Sequence, residues 1–191
     1  MILLSDYLIQ PKTKKAYGGR NMFDVFRNYY DEFLSALLEH IEISFIAIVT
    51  AIVLAIFVTI FLNFYKEFSH VTIYLFSLMY AIPSFALFAL LIPITGLGQT
   101  TAIIVLVIYA QYILVRTFLS GLSQVDKHVI EAAKAMGMTK WQILLKVQFP
   151  LAQKSFFAGL RLASTAIIAI ATIGATINAG SESYSLMGYV R

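Results

Sequence analysis

The sequence predicts an all-α integral membrane protein, and its composition, its hydropathy and its long uncharged runs all indicate this class. Hydrophobic residues make up 60% of the 191-residue chain and charged residues 13%, with a mean hydropathy of +0.82. Soluble domains are about 45–50% apolar and about 25% charged. The chain has no cysteine, which excludes disulfides, thiolate metal sites and a cysteine nucleophile.

Four apolar runs predict four membrane spans, at residues 43–62, 71–94, 99–115 and 156–177. The first has twenty residues without a charge, enough for a helix to cross a bilayer core of about 30 Å. The second contains Pro83, with Pro93 inside it or at its end, and a turn at residues 95–98 joins it to the third. Arg161 is close enough to the start of the fourth for its guanidinium to reach the interface.

The distribution of Lys and Arg predicts which side of the membrane each loop faces. Between Arg116 and Arg161 there are seven basic and two acidic residues, so this loop is expected in the cytoplasm. The turn at 95–98 and the segment before the first span are then outside. Five acidic residues and one basic residue between Met22 and Glu42 agree with that side. Apolar residues at three- and four-residue steps in 23–40 predict an amphipathic helix at the interface.

The charges of residues 1–21 do not fit this orientation, because this segment contains four basic residues and one acidic residue. We therefore hypothesise that they are an N-terminal extension produced by the choice of start codon, and that translation begins at Met22. A genuine basic extension is the alternative. On the first hypothesis residues 22–191 form one transmembrane domain.

The cytoplasmic loop is predicted to contain two short helices at residues 123–150. Ser123 and Asp126 have the spacing of a capping box at the start of the first helix, and Gly137 is expected to end it. Thr139 and Gln142 repeat that spacing, and Pro150 is expected to terminate or bend the second helix.

The first of these helices is expected to be amphipathic. Its apolar side is predicted to consist of Val129, Ile130, Ala133 and Met136, with Lys127, Glu131 and Lys134 more exposed. Such a helix can insert into a groove on another protein. An ordinary interfacial loop is the alternative, and periodicity alone favours it.

The spacing of residues in this loop resembles the signature of the inner-membrane permeases of ABC importers. That signature is Glu-Ala-Ala, three residues, Gly, nine residues, a hydrophobic residue, one more, a hydrophobic residue and Pro. The chain supplies it at Glu131, Ala132, Ala133, Gly137, Val147, Phe149 and Pro150. The resemblance implies a type I ABC importer permease (MetI-like) helical bundle in which 123–150 is the coupling region, docked in a cleft of an ATPase subunit.

The resemblance implies a role for each coupling residue. Ala132 and Ala133 are small so that the helix seats closely, and Glu131 is a charged contact or a local cap. Gly137 allows the turn, and Pro150 fixes where the fourth span resumes.

The resemblance also implies the partners. The chain has no G-x-x-x-x-G-K-[ST] loop, so ATP and Mg²⁺ are expected on an ABC ATPase subunit dimer and no cofactor on this chain. A second permease chain, identical or paralogous, and an extracytoplasmic substrate-binding protein complete the importer. The basic residues of the loop are expected to contact membrane lipid. We expect no nucleic-acid partner, no metal site and no enzymatic activity, because the three histidines stand alone and no catalytic motif occurs.

The segment from Tyr80 to Asp126 resembles the permeases of osmoprotectant importers of the OpuC type, which carry glycine betaine, carnitine and choline. The pieces that support this are Ile82-Pro83-Ser84, the connector at 92–98 and Arg116. The alternative substrate is another zwitterion or an amino acid.

Five residues are candidates for the lining of a translocation path: Tyr80, Pro83, Ser84, Tyr109 and Tyr112. Pro83 breaks a backbone hydrogen bond and can open a polar spot beside Tyr80 and Ser84. A plain packing kink at Pro83 and interhelical hydrogen bonds from the tyrosines are the alternatives, and they are favoured when each residue is taken alone.

After residues 178–180 the family usually continues with Gly-Leu-Gly, a hydrophobic run and a fifth span, whereas this chain has SESYSLMGYVR. Back-translation with codons of our choice gives GLGILLFDGLR in a frame displaced by one base. We therefore expect four spans of the family's five, through a frame slip near codon 180. A C-terminally truncated, non-transporting remnant or accessory subunit is the alternative to a working permease.

Overall fold

The computed structural model describes residues 30–188, with the side chains of residues 30, 34–172 and 174. Residues 1–29, which include the predicted N-terminal extension and the first part of the predicted interfacial helix, and the last three residues lie outside this range. Packing divides the chain into two units, Met1–Leu38 and Glu39–Arg191. The first is described only from Tyr30, where it is helical, and the account below concerns the second unit.

The described residues contain helices and no strand, as the predicted fold class requires. The helices are α1 (Tyr30–Phe64), α2 (Ser69–Ala81), α3 (Ser84–Thr95), α4 (Gln99–Ser123), α5 (Lys127–Ala135), α6 (Lys140–Ile143) and α7 (Phe149–Gly188). A 3₁₀ turn, Lys66–Phe68, follows α1, and a π-helical segment, Leu144–Gln148, precedes α7. The described part of the predicted interfacial helix is the start of α1 and continues into the first span without a break.

Within the described residues, three helical segments are long and apolar enough to cross a membrane: Leu34–Phe64, Gln99–Ser123 and Gln153–Thr172. They confirm the first, third and fourth predicted spans. The fourth belongs to a helix that extends beyond the predicted bounds at both ends, from Phe149 to Gly188.

The second predicted span, at 71–94, is not one straight helix but a bent pair that includes α2 and α3, and the pair together is apolar enough to form one broken span. α2 and α3 meet at an angle of 95°. Pro83 has no N–H and disfavours a helical conformation at Ile82, which is extended with φ −68° and ψ 129°. Pro83 therefore breaks the helix completely, whereas Pro93 lies inside α3, which ends two residues later at Thr95.

α4 lies at the centre of the bundle and packs most extensively against α7. Ala47, Ala51 and Ala55 of α1 are fully buried in the same apolar core as Leu106 and Ala110 of α4. The small side chains let the two helices approach, which is how membrane helices gain van der Waals contact without a hydrophobic driving force. The side-chain amide of Gln111 adds a hydrogen bond to the Ala51 carbonyl, 3.0 Å long.

Two contacts show which helix ends lie together. Gln99, at the start of α4, donates to the carboxylate of Glu39 in α1 over 3.1 Å. At the opposite end of α1, the ring of Phe64 lies 4.7 Å from that of Trp141 in α6. α1 and α4 thus run parallel, and the charged loop after α4 lies beside the end of α1. This is the arrangement that the charge distribution predicts.

α4 and α7 come into close contact at a glycine. A methyl group added at Gly121 would lie 2.5 Å from the Cβ of Ser155 and 3.5 Å from that of Ala152. We expect Gly121→Ala to lower the free energy of unfolding by about 1–3 kcal/mol, because the backbones must separate to admit the methyl. Titration of the purified protein from mild detergent into a denaturing one measures the change.

The matched control is the double variant Gly121→Ala with Ser155→Gly, which removes the obstructing Cβ. It should recover most of the loss, less the roughly 1 kcal/mol that glycine costs inside a helix. Equal destabilisation in the single and double variants would contradict the close packing described here.

Candidate functional site

The first helix of the charged loop, α5, starts at a cap that differs from the predicted one. Asp126 is the N-cap, and its carboxylate accepts a hydrogen bond of 2.9 Å from the N–H of His128. The prediction that Ser123 caps this helix is wrong. α4 continues through Ser123, and the Ser123 hydroxyl donates to the Ser120 carbonyl. Only Asp126 has the non-helical backbone that a cap requires.

The turn between α5 and α6 has the geometry that the sequence predicts. Gly137 has φ +79°, in the left-handed region that favours glycine. Its N–H bonds to the Lys134 carbonyl, and the N–H of Met138 bonds to the Ala133 carbonyl, which together form a Schellman motif. Thr139 and Gln142 form the predicted capping box of α6. The chain direction is thus set by local hydrogen bonds.

Pro150 is the second residue of α7, which follows a π-helical segment without a break. The α-helical part of the preceding segment ends at Ile143, and the π-helical turns of Leu144–Gln148 lead into α7. The predicted termination is therefore a change of helical winding and not an end of the helix. A proline ring clashes with the carbonyl four residues earlier in α-helical geometry, and wider turns relieve that clash.

α5 presents two different apolar surfaces, which corrects the prediction of a single apolar side. Ala133 is 2% exposed, and Ile130 packs against an apolar cluster that includes Leu122 and Ala152. Val129 and Met136 face outward instead, and Met136 is 74% exposed. At 100° per residue these two lie on one face of the helix with Ala132, which is also exposed. We call Val129, Ala132 and Met136 the outer stripe.

Glu131 lies beside the outer stripe and is exposed. Its carboxylate is 3.8 Å from Nδ1 of His128, and both side chains are mostly in solvent. An exposed pair of this kind contributes little to stability. The carboxylate is therefore available to a partner, and the predicted alternative role of Glu131 as a local cap belongs to Asp126 instead.

An open groove of about 490 Å³ lies on the surface of the bundle, between α2, α4 and α7. It is lined by two of the predicted tyrosines, Tyr80 and Tyr112, and by four polar residues that the prediction missed: Arg116, Thr117, Ser120 and Thr165. The ring of Tyr80 lies 4.9 Å from that of Tyr112. Tyr112, Arg116 and Ser120 are four residues apart on α4, so helical spacing could have placed them on one ridge.

Tyr109 belongs to the helix break and not to the groove lining. It is buried, its ring meets that of Tyr80 edge to face at 5.6 Å, and its hydroxyl donates to the Ile82 carbonyl. The break frees that carbonyl from helical pairing, and an unpaired carbonyl is costly in hydrocarbon. Pro83 and Ser84 form the break itself, at the start of α3, and neither lines the groove.

The break lies near the middle of the membrane span. Tyr109 is ten residues along α4 from Gln99, which corresponds to about 15 Å of helix. Discontinuous helices near the bilayer midplane are where transporters form substrate sites. The groove extends from this level toward the end of α4 that leads into α5.

The comparisons with known proteins agree with this architecture. The family described as "Binding-protein-dependent transport system inner membrane component" matches residues 47–189. A carnitine transport permease protein of Listeria monocytogenes is 36% identical over 142 residues, which are 74% of this chain and 65% of that protein. A glycine betaine/carnitine/choline transport system permease protein of Bacillus subtilis is 32% identical over 142 residues, which are again 74% of this chain and 65% of that protein.

A relative with a different stated substrate is also similar. The ergothioneine transport permease/ergothioneine binding protein of Helicobacter pylori is 42% identical over 102 residues, 53% of this chain and 18% of that protein. The chain spans just under two thirds of the Listeria and Bacillus proteins' length, at 65% of each. These comparisons confirm the predicted resemblance and do not favour the alternative of a non-transporting remnant.

The hydrogen bond at the break generates a prediction. We expect Tyr109→Phe to lower the free energy of unfolding by about 1–2 kcal/mol, because the Ile82 carbonyl loses its partner while the ring remains. Denaturing-detergent titration measures the loss. Tyr112→Phe is the matched control, because the Tyr112 hydroxyl bonds to Arg116 of its own helix. A loss no larger than the control's would refute the role of Tyr109.

Proposed function

Because the chain belongs to the family of binding-protein-dependent transport system inner membrane components, and is thus a multi-pass protein of the bacterial inner membrane, we propose that it is the membrane-spanning permease subunit of an ATP-driven importer for osmoprotectants. The substrate class is quaternary amines of the kind named for its relatives, such as carnitine, glycine betaine and choline. ATP and Mg²⁺ are bound by a separate ATPase subunit dimer.

The observation that supports the proposal most is the form of α5. It lies at the basic end of the bundle, it is held by a cap at one end and a Schellman turn at the other, and it exposes the apolar outer stripe to solvent. A charged, solvent-exposed helix with an unpartnered apolar face is suited to insertion in a groove on another protein. The ATPase cleft is the proposed groove.

We assign the coupling residues their roles on this basis. Ala132 in the outer stripe permits close seating of α5 in the cleft, and Glu131 beside it offers a charge to the ATPase. Ala133 faces the bundle and keeps α5 close to it. Gly137 sets the direction of the turn, and Pro150 in the first turn of α7 marks where the fourth span resumes.

The proposed mechanism follows the contacts inward from α5. Ile130 packs against an apolar cluster that contains Leu122, near the end of α4, and Ala152, near the start of α7. When nucleotide binding closes the ATPase dimer, displacement of α5 therefore moves α4 and α7, which are two of the three helices that line the groove. Alternating access needs two such arrangements whose populations the ATPase shifts. A second permease chain and an extracytoplasmic binding protein, which supplies most of the selectivity, complete the proposed importer.

The tyrosines near the midplane are proposed to line the path. Tyr80 and Tyr112 present their rings in the groove, and aromatic faces attract quaternary ammonium groups. Tyr109, Pro83 and Ser84 hold the break that brings Tyr80 there. Weak binding is sufficient at this point, since a transported molecule must also leave.

The test uses a strain that lacks other permeases for quaternary amines and expresses this chain with its partner subunits. The unmodified chain should support uptake of labelled glycine betaine. Ala132→Trp should reduce that uptake at least tenfold, because Ala132 is exposed and the indole blocks docking of the outer stripe.

The matched control is Lys134→Trp, an equally large exposed change on the opposite side of α5. It should retain uptake, with all variants present in equal amounts in the membrane. Absence of uptake by the unmodified chain would overturn the proposed function, and equal loss in both tryptophan variants would overturn the assignment of the docking face.

A further inference from the structure

Arg116 is the charged side chain among the residues that line the groove. Its guanidinium lies over the ring of Tyr112, 5.5 Å from the centroid, and donates to the hydroxyl of the same residue. In the part of the chain that the structure describes, no carboxylate lies within ion-pair distance of it; the ion pair found there joins His128 and Glu131. Among the described residues, Arg116 is therefore a cation without a counter-ion, and it lies beside a groove.

The other polar groups of the groove already have partners within their own helices. The Thr117 hydroxyl donates to the Ile113 carbonyl, and that of Thr165 to the Arg161 carbonyl. The Ser120 hydroxyl accepts from the amide of Gln124. Arg116 has five N–H donors and uses one of them on Tyr112. The guanidinium is thus the group in the groove with the greatest unused capacity to bind an anion.

A carboxylate is the ligand that fits this guanidinium best. The planar fork of arginine binds both carboxylate oxygens at once, and such charged hydrogen bonds are stronger than neutral ones. The stacked Tyr112 ring keeps the guanidinium from turning away from the groove. An arginine exposed on a membrane helix is costly unless it faces water, a ligand or a partner.

An aromatic surface lies next to the guanidinium. Tyr80 is 40% exposed, and its ring and that of Tyr112 lie together on the wall of the same groove. Aromatic faces bind quaternary ammonium groups, while the guanidinium repels them. The groove therefore presents an ammonium-binding surface and a carboxylate-binding group side by side, which is the complement of a zwitterion.

We propose that Arg116 is a specificity-determining residue that binds the carboxylate of a zwitterionic substrate in the permease itself. The permease then favours carboxylate-bearing quaternary amines such as glycine betaine over choline, which has a hydroxyl and a net positive charge. This inference rests on the proposed function, since it concerns the substrate of the same transport path.

The test compares two probes, labelled glycine betaine and labelled choline, each well below the concentration that half-saturates uptake. Arg116→Gln should lower glycine betaine uptake roughly tenfold or more, because a charged hydrogen bond is lost. Choline uptake should fall less than threefold or rise, because a repelling charge is lost. The ratio of the two uptake rates is the readout, and a merely structural role of Arg116 would not move it.

The control is Arg116→Lys, which keeps the charge and loses the fork. It should give a ratio between those of the unmodified chain and Arg116→Gln. If both uptake rates fall equally and their ratio is unchanged, the inference is overturned in favour of a structural or lipid-anchoring role for Arg116. If neither rate changes, Arg116 does not contact the substrate and the inference is also overturned. Uptake of neither probe by the unmodified chain would instead overturn the proposed function, and the inference with it.

Discussion

The close packing of α4 against α7 is the constraint on which the rest of the structure depends. Gly121 lets the two backbones approach at the end of α4 that leads into α5. The same pair of helices forms the groove with Tyr80 and contributes Leu122 and Ala152 to the cluster under α5. A helix pair shared by both sites can transmit a displacement from one to the other, because packed interfaces shift between discrete arrangements rather than deform.

The broken helix is the second constraint, and α4 makes it possible. Non-helical backbone at membrane depth persists only where its polar groups find partners. The Tyr109 hydroxyl donates a hydrogen bond to the Ile82 carbonyl. The Ile82 N–H donates to the Met79 carbonyl over 3.3 Å. Because the break is satisfied in this way, α2 ends near the midplane and presents Tyr80 to the groove.

Local signals in the sequence predicted the features that local interactions determine. Three spans follow from length and apolarity, and the turn at Gly137 and the capping box at Thr139 follow from residues adjacent in the chain. The features that were missed depend on distant partners. Pro83 predicts a bend in the helix, but the angle of that bend depends on Tyr109, which is 26 residues further along the chain. Ile130 and Val129 are equally apolar, and only the ends of α4 and α7 decide which of them is buried.

Arg116 shows the same limit. In the sequence it ends an apolar run and resembles an ordinary interfacial arginine, while its ring partner four residues earlier is visible in the spacing. The groove that gives it a role exists only when α7 lies against α4. Tertiary packing therefore makes Arg116, which the sequence places at the end of a span, a candidate ligand-binding residue.

The transmission of movement from α5 to the groove is the central claim, and thiol labelling of Thr165→Cys in the groove tests it most directly. The chain has no cysteine of its own, so the introduced thiol is its single labelling site. In the assembled complex, the rate of reaction with a water-soluble maleimide should differ severalfold between the nucleotide-free and ATP-bound states, because the groove opens and closes with the ATPase. Equal rates in the two states would contradict the account.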